Sequence, residues 1–338
     1  MKRTFIILLG CCLGLNSCYE LDLNPLSQAS SENWYSNETE IEMSIKDFYR
    51  DAFWPLDNED KTDNFIYRET PSEIIKGTFN GQSGDVSTLW ANQYKSIART
   101  NTILSNMDKA ADMGISEEKI KRYEAEALFQ RASCYARLVT YFGDVVYVTS
   151  VVDIEEAFTL GRTPKSEIVP KIYEDYDKAA EGLPEKYTGV SSLRATKGAA
   201  LALKARFALY MGDWEIAADA AKKCMDLGLY KLHADYAELF LTTTKNSEES
   251  IFLLPRSIEY KVTLGNWTVM NEVSRNPGGW GAFAPSWDLL AAYECTDGLP
   301  IDESPLFDPQ NPFKYRDPRC TATIVEFGTR HLGFDYNP

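Results

Sequence analysis

What most constrains this chain is a succession of apolar stripes at helical spacing that runs from residue 36 to about residue 237. Side chains three and four positions apart share one face of an α-helix, so each stripe predicts a helix that buries one side against a neighbour. Asn37 with Glu40 forms a capping box ahead of Ile41, Ile45 and Phe48. Trp90, Tyr94, Ile97, Asn101 and Leu104 make the next stripe. A third runs over about 116–141, with Ile120, Tyr123, Ala127, Ala132, Tyr135 and Leu138 inward and Gly143 as its stop. The fourth is predicted near 170–183, closed by Pro184. The last two form a hairpin over about 195–211 and 213–227, turned at Gly212 and ended at Gly228.

Within that hairpin, Gly212-Asp213-Trp214-Glu215-Ile216-Ala217 resembles the turn of a tetratricopeptide repeat, and Ala205, Ala217 and Cys224 supply small side chains where such helices approach closely. The neighbouring helix pairs favour stacked hairpins over an isolated one. After residue 237 the texture changes. The segment 249–254 reads as a short strand and 286–293 as a short helix capped by Ser286. The remainder is rich in Pro, Gly, Asn and Asp, which places it in surface loops of the kind that carry binding residues. The predicted fold is therefore mostly α: tetratricopeptide-like helical hairpins over about 36–237, then an irregular loop-rich region with short strands over about 238–338.

The N-terminus is read as an export signal. Lys2 and Arg3 precede an apolar run that ends at Leu15, too short to span a hydrocarbon core of about 30 Å as a helix. It closes on Leu15-Asn16-Ser17-Cys18, close to the lipobox that directs diacylation of the thiol and cleavage before it. Residues 1–17 are thus expected to be removed as a lipoprotein signal peptide, leaving a body over 18–338 held on a membrane by Cys18. Several acyl chains make such an anchor durable, at about 0.8 kcal/mol per buried methylene. Of the later cysteines, Cys134 and Cys224 fall in helical stripes, where a thiol acts as a small buried hydrophobe, and Cys295 and Cys320 leave the disulfide state open.

The chemistry of the chain excludes several classes. A formal net charge of -15 is the wrong sign for a nucleic-acid binder. Two histidines and no Cys-x-x-Cys argue against a structural zinc site. Gly-x-Ser-x-Gly, His-Glu-x-x-His, the Walker loop and the dinucleotide fingerprint are all missing, so the chain is read as a non-enzyme with no cofactor. The acidic run over 57–63 lacks the glycine turn and ligand spacing of a calcium loop and reads as solvated.

Sugar recognition needs aromatic faces for the C–H side of a pyranose and Asn, Asp or Arg for its hydroxyls. Two stretches offer that mixture. The first, over 54–80, holds Asp63, Asn64, Tyr67, Arg68, Phe79 and Asn80; the second, over 260–287, holds Asn266, Trp267, Asn276, Trp280, Phe283 and Trp287. Trp267 and Trp280, flanked by Asn and Gly, are the candidate exposed platforms, with Asn266, Tyr67, Arg68 and Asn80 as candidate partners. Trp287 beside a helix cap, and Trp90 and Trp214 on helix or turn motifs, read as packing residues.

Taken in order, several segments resemble the SusD/RagB lipoproteins of the Gram-negative cell surface. They are Cys18 followed by Tyr19-Glu20-Leu21-Asp22-Leu23-Asn24-Pro25, then Trp90-x3-Tyr94-x2-Ile97-x3-Asn101, then Ala125-Glu126-Ala127-Leu128-Phe129-Gln130-Arg131-Ala132 leading to Phe142-Gly143-Asp144-Val145. The helix opening at Ala195-Thr196-Lys197-Gly198, Asp297-Gly298 and Arg316-Asp317-Pro318-Arg319 continue the series. The resemblance implies a lid over a SusC-like TonB-dependent transporter in the outer membrane, capturing oligosaccharide or glycan for import. Members of that family continue well past the last of these segments, so the chain is expected to be shortened at its C-terminus. The alternative reading is a helical-repeat lipoprotein that binds protein and no glycan.

Overall fold

The computed structural model describes residues 34–338 apart from 56–58, 69, 189–193, 255, 260, 332 and 337–338. Cys18 and the signal segment lie outside the described residues. The elements in chain order are α1 (Glu38–Lys46), β1 (Phe65–Tyr67), α2 (Gly84–Leu104), α3 (Met107–Asp112), α4 (Glu117–Phe142), α5 (Ile154–Ala157), α6 (Lys165–Gly182), α7 (Lys197–Met211) and α8 (Trp214–Asp226). There follow α9 (Asn266–Glu272), β2 (Phe283–Pro285), α10 (Trp287–Ala292), α11 (Pro318–Thr323), β3 (Arg330–His331) and β4 (Phe334–Asp335).

The longest stripe becomes the central helix. Ser116 caps α4 by accepting from the Lys119 N–H, and Gly143, at φ 69°, ends it. Tyr123, Ala127, Ala132, Tyr135 and Leu138 are buried as the spacing predicts. Around α4 the helices stack in the order α2, α4, α6, α7, α8, which is the array of hairpins expected. The α7–α8 turn uses Gly212 in the left-handed region, and Thr196 caps α7 through the Ala199 N–H. Asn37 caps α1 by accepting from Glu40 N–H at 3.1 Å, as the capping box requires.

Two expectations change, and short helices appear that no stripe announced. The fourth helix starts at Lys165, behind Pro164, and carries Pro170 inside it; Pro170 therefore interrupts one backbone bond rather than opening the helix. The short helix α3 has too few turns to show a stripe. No strand forms over 249–254. Its apolar run instead serves packing: Phe252 lies 4.9 Å from the Trp54 ring and 5.4 Å from that of Phe129.

Buried polar groups explain part of the motif over 125–132. Arg131 donates from Nε and Nη2 to Asp175 at 2.8 and 2.9 Å, a fork that joins α4 to α6. Its Nη1 reaches Asn101 Oδ1 at 3.3 Å, and the Asn101 amide holds the carbonyls of Val148 and Ser150. Glu126, nearly inaccessible, accepts from Tyr49 Oη at 2.8 Å and from Arg194 Nε at 2.9 Å. Arg194 also reaches Glu42 at 2.9 Å, tying the start of α7 to α1 and α4. The four later cysteines are all free and buried.

Candidate functional site

The two aromatic stretches singled out in the sequence meet in a small antiparallel ladder. Phe65, Ile66 and Tyr67 pair with Pro285, Ala284 and Phe283 respectively. Aromatic and β-branched residues favour such a pleated pairing even over three positions. The bonding continues beyond both ends: the Arg68 N–H donates to Ala282 O and the Ser286 N–H to Asn64 O, each at 2.8 Å. Because side chains alternate across a strand, Tyr67 and Phe283 share one face, with ring centroids 5.0 Å apart. Ile66, on the other face, is 54% exposed.

Trp280 is held next to this ladder by backbone. The loop after α9 folds back so that Trp280 N–H donates to Met270 O at 2.6 Å and Ala282 N–H to Asn271 O at 2.9 Å. Glycine is required on both sides of Trp280. A Cβ at Gly279 would fall 1.9 Å from Val273 O, and Gly281 has φ +54°. With its main chain fixed, the Trp280 ring stays 45% exposed. Asn276 donates from Nδ2 to Asp335 O at 3.2 Å, which fastens the same loop to β4.

The other candidates fare differently. Arg68 is exposed, with its main chain in the ladder. Asn80 is used locally: Nδ2 donates to Thr78 O and Oδ1 accepts from Gln82 N–H, both at 2.9 Å, in the turn that leads to α2. Asn266 and Trp267 open α9 instead of lying in a loop, and their side chains fall outside the described residues. Trp287 was expected to pack beneath its helix cap. It is 70% exposed, two residues beyond β2. Ser286 does cap α10, through Leu289 N–H, but it anchors to the Asp63 and Asn64 carbonyls and so turns Trp287 outward. Trp214, also expected to pack, is 66% exposed. Trp90 is half-buried as expected, against Tyr94 and Phe142 at 4.9 and 5.2 Å.

Chemically the ladder and its flanks offer the aromatic pair Tyr67 and Phe283 together with the exposed Trp280 and Trp287, and the exposed guanidinium groups of Arg68 and Arg275. Among the described residues, no group of three or more His, Cys, Asp or Glu side chains could hold a metal ion. No described helix is long and apolar enough to cross a membrane.

The SusD-like family profile, described as starch-binding associating with outer membrane, matches residues 26–209. The chain belongs to the SusD-like family. A SusD-like protein of Formosa agariphila, P2, is 28% identical over 272 residues, covering 75% of this chain and 52% of the relative. A SusD-like carbohydrate-binding protein of Bacteroides fragilis has a solved structure that superposes with a TM-score of 0.78 at 28% identity, over 90% of this chain and 62% of that one. A second SusD-like structure from that species gives 0.74 at 27% identity, over 90% and 64%. The chain thus spans about half the length of its curated relative. The mostly helical architecture predicted from the stripes is that of the family.

Proposed function

We propose that this SusD-like protein is a non-catalytic binder of oligosaccharide or glycan, held on the outer membrane through Cys18, that passes its ligand to a SusC-like TonB-dependent transporter. The observation that carries the glycan reading is the β1–β2 ladder, which brings two aromatic stretches far apart in sequence to one place and leaves Trp280 and Trp287 open beside it. Exposed tryptophans held by main-chain bonds are low-entropy platforms for sugar rings. Family membership and the carbohydrate-binding relative from B. fragilis support the same reading.

Affinity electrophoresis of the purified chain in gels containing starch, laminarin, xylan or pectin tests it. Retardation by at least one polysaccharide, lost in Trp280→Ala, is the expected result. Free migration in all four gels, with the folded state confirmed by circular dichroism, favours the protein-binding alternative.

A further inference from the structure

A second recessed site lies on the helical scaffold. Between α4 and α7 is a cavity of about 400 Å³, within the range of small-ligand pockets. Each helix presents the same pair to it, an arginine followed four residues later by a tyrosine: Arg137 and Tyr141 on α4, Arg206 and Tyr210 on α7. Residues four apart share a helix face, so both pairs open into one space. The Tyr141 and Tyr210 rings stand at the rim, 56% and 61% exposed, while Trp54 and Tyr176 are buried at the wall.

The charge of this cavity is unlike that of the chain around it. Among the described residues no Asp or Glu lines it, although the whole chain carries -15. Arg206 is exposed and makes no hydrogen bond or ion pair among the described residues. Arg137 lies over the Trp54 ring at 5.4 Å and uses Nη1 for Phe53 O and Gln93 Oε1. Its Nε and Nη2 make no hydrogen bond among the described residues. Two guanidinium groups without a carboxylate, set between tyrosine faces, match an anionic group carried on a sugar ring. The planar fork takes a carboxylate or sulfate in two parallel bonds, and the rings take the pyranose C–H face.

We propose that the α4–α7 cavity binds oligosaccharides bearing carboxylate or sulfate groups, at a site separate from the β1–β2 ladder. The proposal rests on the carbohydrate reading for its ligand class, and its test separates the two sites. Calorimetric titrations of wild type, Arg206→Gln, Arg206→Lys and Trp280→Ala use tetragalacturonate, a carrageenan tetrasaccharide and neutral maltotetraose, with pentaglutamate as an acidic peptide. At least one charged saccharide is expected to bind, more weakly as salt is raised. Arg206→Gln should lower that affinity by about tenfold or more, since the lost hydrogen bonds are charge-assisted. Arg206→Lys should keep part of the affinity, and Trp280→Ala should leave it unchanged. The two charged probes distinguish carboxylate from sulfate.

Absence of binding by both charged saccharides overturns the proposal, as does binding unaffected by Arg206→Gln or abolished by Trp280→Ala. So does tighter binding of pentaglutamate, which would assign the cavity to acidic peptide. Arg206 is exposed, so its variants should melt with the wild type. Failure here with Trp280-dependent retardation intact removes this site and leaves the ladder reading standing.

Discussion

Replacing Asp175 by Asn, which keeps the shape and removes the charge, tests what holds the helical stack beneath both sites. The Arg131 and Asp175 side chains are 9% and 8% accessible, and their two bonds of 2.8 and 2.9 Å are the charged link between α4 and α6, beside a neutral one from the Tyr176 hydroxyl to Ser133 at 3.1 Å. With an amide in place of the carboxylate, one oxygen can still accept from Arg131, but the second bond becomes donor against donor and the counter-charge is gone; the remaining partners are Asn101 at 3.3 Å and, at longer range, the Thr149 carbonyl. A buried cation left unpaired costs about 3–5 kcal/mol, a large part of the roughly 5–15 kcal/mol that holds a typical native state. The melting temperature should fall on the order of 10 °C. Urea unfolding followed by circular dichroism measures the loss as a lower midpoint at unchanged slope. The apolar pair Arg131→Met with Asp175→Leu should recover most of it, because neither group is then left buried and uncompensated. A cost below about 1 kcal/mol for Asp175→Asn, or a double variant no better than the single one, would refute the reasoning.

At the ladder, Trp280→Ala should weaken glycan binding roughly 5- to 150-fold, from the about 1–3 kcal/mol of an aromatic contact, with little change in melting. Trp90→Ala should do the reverse, costing about 3 kcal/mol of stability as it empties the contact with Tyr94 and Phe142. Cys18→Ala should release the protein from the outer-membrane fraction, and membrane retention of that variant would remove the lipid anchor. Burial pushes the Cys134 thiol up to about 11, so it and the other three buried cysteines should resist iodoacetamide at neutral pH and react on unfolding. Burial raises the Glu42 carboxyl, but Arg194, the Tyr123 hydroxyl and Arg122 outweigh it and hold the group below the usual carboxylate range. Its folded value lies under its unfolded one, so its stabilisation is present above pH ~4 and is lost as pH falls through the folded value. Glu42→Gln should flatten that acid limb of the urea midpoint.

The helices of this protein are decided locally, which is why the sequence alone determined most of them. Spacing, the caps at Asn37, Ser116 and Ser286, and the stops at Gly143 and Gly212 act within a few residues of one another. The ladder is of another kind. Three residues over Phe65–Tyr67 carry too short a pattern to declare a strand, and their partner lies more than two hundred positions away. Register between such segments exists only once the core has brought them together, as it does by seating Phe252 against Trp54 and Phe129. The fate of each tryptophan was likewise a tertiary matter. Trp287 follows a cap that sequence reads as packing, yet the cap is turned by the Asp63 and Asn64 carbonyls, and the ring faces outward. Residue type sets what an aromatic can bind; only the packing of distant segments decides whether its face is left open to do so.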